Sequence, residues 1–324
     1  MEEQNQPEAV GTPSRGLQEV LDSASGIGGI LDESPGYEPI TEGAPEEGIF
    51  TLVGGYVDPD GTIHNEVHLR AMGGHEEDLM GNRNVPIIQR MNGILSNCIV
   101  RLGDITEKGK FANAVHKMPS GSRTHLLIAL RRTSHYKTEK DIYEMDLECP
   151  NGNCEHVGHY KVDLSELELY DWPEPGKMEY DTKLPYSGET VTWHFITGAE
   201  DHYLAELATA SEAEFLSFAI LVRLTAWDGV DCRLFSSDIL DSNGKKIRLS
   251  RKAKELLLRV KNLSTGDREA LRAQFLDHEP GVDTELEIEC EKCHREFTGR
   301  LDVTQRAFFF PRATSARSKR RRST

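Results

Sequence analysis

Four cysteines in two pairs have the residue type and the spacing of a structural zinc site. The second pair has the spacing Cys-x-x-Cys, and the first pair has four intervening residues, which is within the range that zinc turns use. Structural zinc takes four tetrahedral ligands, commonly thiolates supplied by two such turns. The sequence therefore predicts one zinc ion held by four thiolates, those of Cys149, Cys154, Cys290 and Cys293.

Other residues near these pairs are weaker candidates for metal or redox chemistry. Three histidines, His156, His159 and His294, could replace a cysteine, although four thiolates already complete the ligand shell. Of the two remaining cysteines, Cys98 falls on an apolar helical stripe and is interpreted as a core thiol, while Cys232 stands alone. The alternatives are unmetallated thiols or a redox pair. A thioredoxin-like redox site would need one Cys-x-x-Cys beside a βαβ unit, which two strand-borne pairs do not resemble.

No pattern in the chain predicts an active site. The nucleophile motif G-x-S-x-G is absent from the sequence. The run at residues 75–78, His-Glu-Glu-Asp, could bind a metal or transfer protons, but an acidic first helical turn explains it better. The glycine run at residues 26–29 lacks the Lys-Ser/Thr of a phosphate loop and is interpreted as a flexible link. The sequence therefore predicts a protein that is not an enzyme.

The elements that must position the cysteines recur along the chain. Residues 66–77, EVHLRAMGGHEE, resemble residues 190–201, TVTWHFITGAED. Each segment follows a turn, at residues 58–61 and 185–188, that is flanked by strand-like runs, so a β-hairpin is predicted in each place. The aligned identities are Val67 with Val191, Gly74 with Gly198 and Glu76 with Glu200.

Two further features recur in the same order. Gly121-Ser122-Arg123 precedes HLLIALRR, and Gly266-Asp267-Arg268 precedes EALRAQFL, so both places predict a helix entered through a polar turn. Residues 144–164 and 285–303 each alternate apolar and polar side chains on both sides of a cysteine pair. That alternation is typical of a strand, a cysteine turn and a returning strand.

The three recurring features indicate an internal duplication and an α+β fold. Each half is predicted to contain a β-hairpin, helices and a cysteine-bearing β-hairpin, and the two cysteine hairpins are predicted to join as a zinc ribbon. The metal would then lie at the joint between the halves. The predicted organisation is a disordered acidic arm at 1–48, a first repeat at 49–170, a second repeat at 171–311 and a disordered basic tail at 312–324.

Three amphipathic helices are predicted between these features. The segment Asn84–Leu102 carries apolar residues at helical spacing. The segment Glu212–Leu224 follows Ser211, whose spacing from a glutamate is that of a capping box. The segment Arg251–Val260 follows Ser250, a favourable N-cap residue.

The charge of the chain is unevenly distributed over its 324 residues. The formal net charge is −16, of which residues 1–48 carry −10 and residues 312–324 carry +6, so the body between them carries −12. An acidic body repels phosphates and disfavours nucleic acid as a partner. The start has no secretory signal, and no run approaches the length of a membrane span. A cytoplasmic protein is expected, where paired thiols more often indicate metal than disulfide.

The chain resembles a family of phage proteins in several short strings. These are LRAMGGHEEDLM, the GSR-x2-LLIALRR helix, the IYEMDLECP strand, the VDLSELEL return and the terminal FFFP. Together they resemble T-even-type phage baseplate hub assembly proteins, over residues 50–311. Family members commonly carry Gly-Asp-Arg before the middle helix, which the second half keeps at 266–268 and the first half changes to Gly-Ser-Arg at 121–123. The resemblance implies no catalysis, baseplate hub or wedge proteins as partners, and a place in the producing cell or the assembled tail.

Three functions follow as hypotheses. The first is a zinc-stabilised scaffold or chaperone for baseplate assembly in a phage tail or a contractile injection system. The alternative is a zinc-ribbon adaptor that binds nucleic acid through its basic tail. A metal-dependent hydrolase ranks last, because a closed four-thiolate site has no open position for water or substrate.

Overall fold

A computed structural model describes residues 48–134, 141–201, 203–204, 212–235, 238–240 and 248–310. Over these residues the chain combines helices with small antiparallel sheets, which confirms the predicted α+β class. The glycine run at 26–29, the basic tail and all but the last residue of the acidic arm lie outside the described residues. No helix in the described ranges has the length and apolar character needed to cross a bilayer.

The first half begins with the elements β1 (Ile49–Val57), β2 (Ile63–Leu69), α1 (Gly74–Gly81), α2 (Ile87–Cys98), β3 (Ile99–Leu102), α3 (Lys108–Lys117), α4 (Ser120–Ser134), β4 (Ile142–Glu148) and β5 (Val157–Asp163). A three-stranded sheet, in the order β1-β2-β3, is accompanied by the four helices and by a separate hairpin of β4 and β5. Both predicted hairpins of this half are confirmed by antiparallel pairing.

The first half ends with β6 (Leu169–Tyr170), and the second half contains β7 (Glu179–Lys183), β8 (Thr190–His194), α5 (Glu212–Leu221), β9 (Leu224–Trp227), β10 (Val230–Asp231), β11 (Ile239–Leu240), β12 (Arg248–Leu249), α6 (Arg251–Lys261), α7 (Thr265–His278), β13 (Gly281–Val282), β14 (Glu285–Glu289), β15 (Glu296–Arg300) and α8 (Arg306–Phe309). The second half follows the element order of the first, with a helical turn at residues 198–201 and short strands inserted after β9. Its main sheet has the order β10-β9-β8-β7, and β13 pairs with β6 of the first half.

The β2-β3 and β8-β9 ladders share an irregularity at aligned positions. In each ladder the aligned valine, Val67 or Val191, pairs with the third strand, and the register shifts between the next two residues. The shifts lie between His68 and Leu69 and between Thr192 and Trp193. A bulge changes the local twist and the direction of the chain. The two hairpins therefore share a local irregularity just before the chain leaves the sheet.

The predicted helix over Asn84–Leu102 is too long at both ends. It begins at Ile87, after Pro86 as N-cap, and ends at Cys98, and its last four predicted residues form β3 instead. The carbonyl oxygen of Cys98 accepts a hydrogen bond from the Arg70 backbone N–H at 2.9 Å, which ties the chain to the end of β2. The β-branched residues at 99 and 100 suit the extended conformation that this contact imposes.

The other two helix predictions fare differently. The helix predicted over Glu212–Leu224 ends at Leu221, because Leu224 begins β9 and pairs with β8. Its predicted cap, Ser211, lies outside the described residues. The helix predicted over Arg251–Val260 is confirmed, with one further residue, and the Ser250 hydroxyl accepts the Ala253 N–H at 3.1 Å.

Each half has its own hydrophobic core, and the last described segment of the chain packs into the core of the first half. The second core is built around Trp193 and Trp227 of β8 and β9. The first core contains residues of β1 to β5 together with Phe308 and Phe309 from the last helix. Phe308 packs edge-on against Tyr143 of β4, with 5.1 Å between ring centroids. The last described segment of the second half therefore completes the core of the first half.

Candidate metal centre

The four cysteine sulfurs converge at the contact between the two cysteine hairpins. All four Sγ atoms lie within 4.8 Å of one another. Two of the distances cross between hairpins, with 3.7 Å from Cys149 to Cys293 and 3.8 Å from Cys154 to Cys290. Four sulfurs about 2.3 Å from a tetrahedral zinc ion are about 3.8 Å apart, whereas a disulfide is about 2.05 Å long. The cysteines are free thiols whose spacing matches a four-ligand metal cage.

The two cysteine turns are built alike, although the first is two residues longer. In each hairpin the residue before the first cysteine pairs with the third residue after the second cysteine. The residue directly after the second cysteine has a left-handed backbone, with φ of 48° at Glu155 and 56° at His294. Residues other than glycine rarely adopt this conformation, so its presence at both aligned positions reflects a common turn geometry.

Backbone amides inside the turns face the sulfurs and change their acidity. Each sulfur accepts an N–H from the residue two positions later. The Arg295 amide lowers the pKa of Cys293 to about 6, and the Cys293 amide lowers the pKa of Cys290. Burial beside the other thiols raises the pKa of Cys154 to about 12. A dication supplies the charge that allows all four to be thiolates together.

Side chains also join the two hairpins directly. The Lys292 ammonium donates to the carbonyl oxygen of Cys154 at 3.1 Å, and the Asn151 amide donates to the sulfur of Cys293 at 3.8 Å. The ring of Tyr160 lies edge-on to Phe297, 6.4 Å between centroids. Sequence patterns do not reveal these contacts, because each joins residues about 140 positions apart. For Asn151 and Lys292 the only local signal is a polar residue within a cysteine turn.

The histidines near the cysteines do not contribute a ligand in the described structure. Each ring lies beside a carboxylate, at distances from 2.7 to 3.9 Å. The pairs are His294 with Glu289, His159 with Asp146 and His156 with Glu291.

The two other cysteines are buried outside the cluster. Cys98 lies in the first core, as predicted, and burial raises its pKa to about 12.

The acidic run at residues 75–78 has a structural role at the start of α1. Glu76 is buried, accepts the Gly73 N–H at 2.7 Å and pairs with the Arg70 guanidinium at 2.7 Å. The second half has the same arrangement at aligned positions. That matching set is Glu200, Thr197 and His194. Both glutamates cap a helix, which agrees with the interpretation as an acidic first turn.

Metal release from this cage is expected at acidic pH, below about pH 6, because protons compete with the metal for the thiolates. The Arg295 amide lowers the pKa of Cys293 to about 6, so this ligand favours the bound state until the pH falls through that value. Burial raises the pKa of Cys154 to about 12, and a bound cation supplies the charge that keeps this thiol ionised at neutral pH. Metal transfer to a chromophoric chelator, followed from pH 9 downward at constant ionic strength, measures the midpoint. Release that begins above about pH 7 would contradict this ligand set.

Comparison of the chain with protein-family models finds no match. Comparison with curated proteins and with solved structures finds no match either.

Proposed function

We propose that this chain is a non-enzymatic scaffold or chaperone that binds other proteins during assembly of a contractile-tail baseplate. One zinc ion would stabilise it by joining the two halves. The observation that carries the proposal is the cage of four thiolates, two from each half of the chain. Its ligand shell is complete, so a bound metal keeps no position for water or substrate. A closed site of this kind contributes stability rather than chemistry.

Zinc is the metal that best suits these ligands. Soft thiolates select zinc, copper(I) or iron, and a tetrahedral set of four is the usual arrangement for structural zinc. The distances between sulfurs agree with the size of that tetrahedron.

We further infer that the halves are duplicated copies joined as a zinc ribbon. The shared bulge, the shared helix caps and the shared hairpin register support this origin.

Exposed apolar side chains on the second half support a role in binding proteins. Leu276 on α7 is 82 % exposed, and Tyr186 in the β7-β8 turn is 76 % exposed. Leu258 on α6 and Phe235 are also largely exposed. Exposed apolar surface is a common feature of protein interaction sites. The baseplate role itself rests on the resemblance of short strings to hub assembly proteins.

Co-purification tests the assembly role. A tagged chain expressed at its natural level in producing cells is expected to capture baseplate hub or wedge proteins. A Leu276→Ser variant keeps the buried cores and tests whether the exposed face of α7 contributes to capture. The measurement is mass spectrometry of the captured proteins, with the untagged strain as control. Recovery of the chain alone, with normal baseplates formed in its absence, would contradict the assembly role.

The alternative is a zinc-ribbon adaptor for nucleic acid, and the basic tail at residues 312–324 is the feature that favours it. The ribbon surface opposes it, because both hairpins carry exposed acids at alternating positions. These acids are Glu144, Asp146 and Glu148 on β4 and Glu285, Glu287 and Glu289 on β14. Such a surface repels phosphate and suits a basic protein surface. A salt-sensitive mobility shift on DNA would favour the adaptor.

A further inference from the structure

The two halves of the chain contact each other at two corners of the backbone. The first, called the docking corner, is the junction of α3 and α4 at residues 118–120. The second, called the receiving corner, follows β8 at residues 196–198. The Ser120 N–H donates to the carbonyl oxygen of Ile196 at 2.8 Å, and the Gly198 N–H donates to that of Met118 at 3.3 Å. The corners therefore pair as a short antiparallel bridge.

An ion pair that includes a buried arginine stabilises this contact. Arg123, one turn into α4 and 4 % exposed, contacts the Asp201 carboxylate in the helical turn after the receiving corner. Its other terminal nitrogen donates to the Asn92 side chain at 2.6 Å. The contact thus combines paired backbone, buried apolar side chains and one charge pair across the halves.

The chain carries each corner twice, because the same elements occur in both halves. The counterpart of the docking corner is residues 263–265, between α6 and α7, and Arg268 takes the place of Arg123. The counterpart of the receiving corner is residues 72–74, between β2 and α1, and Glu77 takes the place of Asp201. Arg268 also reaches the Ser217 hydroxyl at 3.0 Å, at the position where Arg123 reaches the Asn92 amide.

Among the described residues no hydrogen bond or ion pair joins these two counterparts, and both are largely exposed. Ser264 and Thr265 are exposed, whereas Pro119 in the engaged corner is buried. Gly73 and Gly74 are exposed, whereas Gly198 is buried. Across the described ranges, no hydrogen bond uses the Thr265 N–H, the Leu263 carbonyl, the Gly74 N–H or the Met72 carbonyl. Each free corner thus presents the backbone groups that its engaged counterpart uses.

We propose that a second copy of this chain docks head to tail through these free corners. The docking corner of one copy, with Leu263 as its apolar residue, binds the receiving corner of the next copy, where Met72 matches Ile196. Arg268 of the first copy then pairs with Glu77 of the second. Glu77 now contacts Arg306 at 3.2 Å, and both side chains are at least half exposed, so this pair can exchange readily.

The geometry of the contact determines the kind of assembly. The two surfaces are different, so the interface is heterologous, and repeated contacts give a ring or a filament rather than a two-fold dimer. Contact between copies depends neither on the metal nor on which other proteins the scaffold binds. Its failure therefore leaves the proposed function untouched, and its success does not establish that function.

Charge reversal at the two corners tests the proposal on the full chain. Arg268→Glu and Glu77→Arg each place like charges at the interface, so each variant alone is expected to dissociate at concentrations at least about tenfold higher than the unmodified chain. A mixture of the two variants pairs opposite charges at every contact and is expected to restore assembly. Sedimentation velocity over a concentration series measures both effects. Arg251→Glu with Glu255→Arg, an exposed pair on α6, is the matched control and should not change the mass distribution.

Other outcomes overturn the proposal. A chain that stays monomeric at all accessible concentrations has no such interface. A two-fold dimer that neither reversal affects places the interface elsewhere. If a reversal variant loses its cooperative thermal unfolding, Arg268→Ser and Glu77→Gln replace it, and these are expected to weaken assembly without rescue on mixing. Unchanged assembly in both milder variants would also refute the head-to-tail contact.

Discussion

Replacing Cys290 by serine is expected to abolish metal binding and to destabilise both halves of the chain. Cys290 is fully buried, and a serine hydroxyl is a poor ligand for a soft metal site. Metal binding contributes about 10–16 kcal/mol to the folding of small zinc peptides, which is comparable to the stability of a whole domain. The two cysteine hairpins belong to different halves, so loss of a shared metal should remove protection from both.

Three measurements check this result. Elemental analysis of the purified protein should fall from about one metal ion per chain to nearly none. The thermal unfolding midpoint should fall, and amide hydrogen exchange should become faster in both cysteine hairpins. Cys232→Ser is the matched control, because Cys232 is also a buried thiol but lies outside the cluster. Full metal content and an unchanged unfolding midpoint in the Cys290 variant would show that this cysteine cluster does not hold the two halves together through a metal.

The cluster of four cysteines could be predicted because the chemistry of each pair is local to its turn. Two cysteines separated by a few residues can face one metal only if the chain between them turns, and alternating side chains on both sides indicate strands. Neither inference needs a distant contact. That the two turns meet follows from the ligand count, because a tetrahedral zinc site needs the cysteines of both pairs. The cross-hairpin contacts of Asn151 and Lys292 have no such local pattern.

The third strand of each sheet could not be predicted from local sequence, because a distant backbone contact forms it. Apolar residues continue at helical spacing through Cys98 into β3, so periodicity alone extends the helix to Leu102. The helix ends because the backbone of Cys98 bonds to Arg70 at the end of β2, 28 positions earlier. In the second half, the His194 N–H bonds to the carbonyl oxygen of Arg223 in the same way. Tertiary hydrogen bonding thus overrides a pattern that is locally satisfactory.

The packing of the last described helix, α8, into the first core also depends on residues far away in the sequence. A run of three phenylalanines at residues 308–310 does not by itself indicate which core would receive it. Phe308 and Phe309 are both fully buried beside residues of the first half. The ion pair of Arg123 with Asp201 is similar, because its partners are 78 positions apart and no local pattern connects them. Such contacts join the halves and follow only from the assembled fold.

Replacing Gly121 by alanine is expected to destabilise the chain by about 3 kcal/mol, because backbone atoms occupy the space that a side chain needs. A Cβ at this position would lie 1.9 Å from the carbonyl oxygen of Pro280 and 2.6 Å from the Cα of Gly281. Neither atom can rotate away, so α4 and the segment before β13 must separate. In an ordinary helix the same change stabilises by up to about 1 kcal/mol.

Two other glycines provide the comparison. Gly109 lies in α3 with no atom within 4 Å of an added Cβ, so Gly109→Ala is expected to stabilise by about 0.5–1 kcal/mol. Gly266 aligns with Gly121, but its Cβ would meet the ring of Tyr186, which is exposed and can move aside. Its alanine variant should therefore lose less stability than that of Gly121. Urea unfolding of the three variants gives the order, and equal effects at Gly121 and Gly109 would contradict the close approach of α4 to residues 280–281.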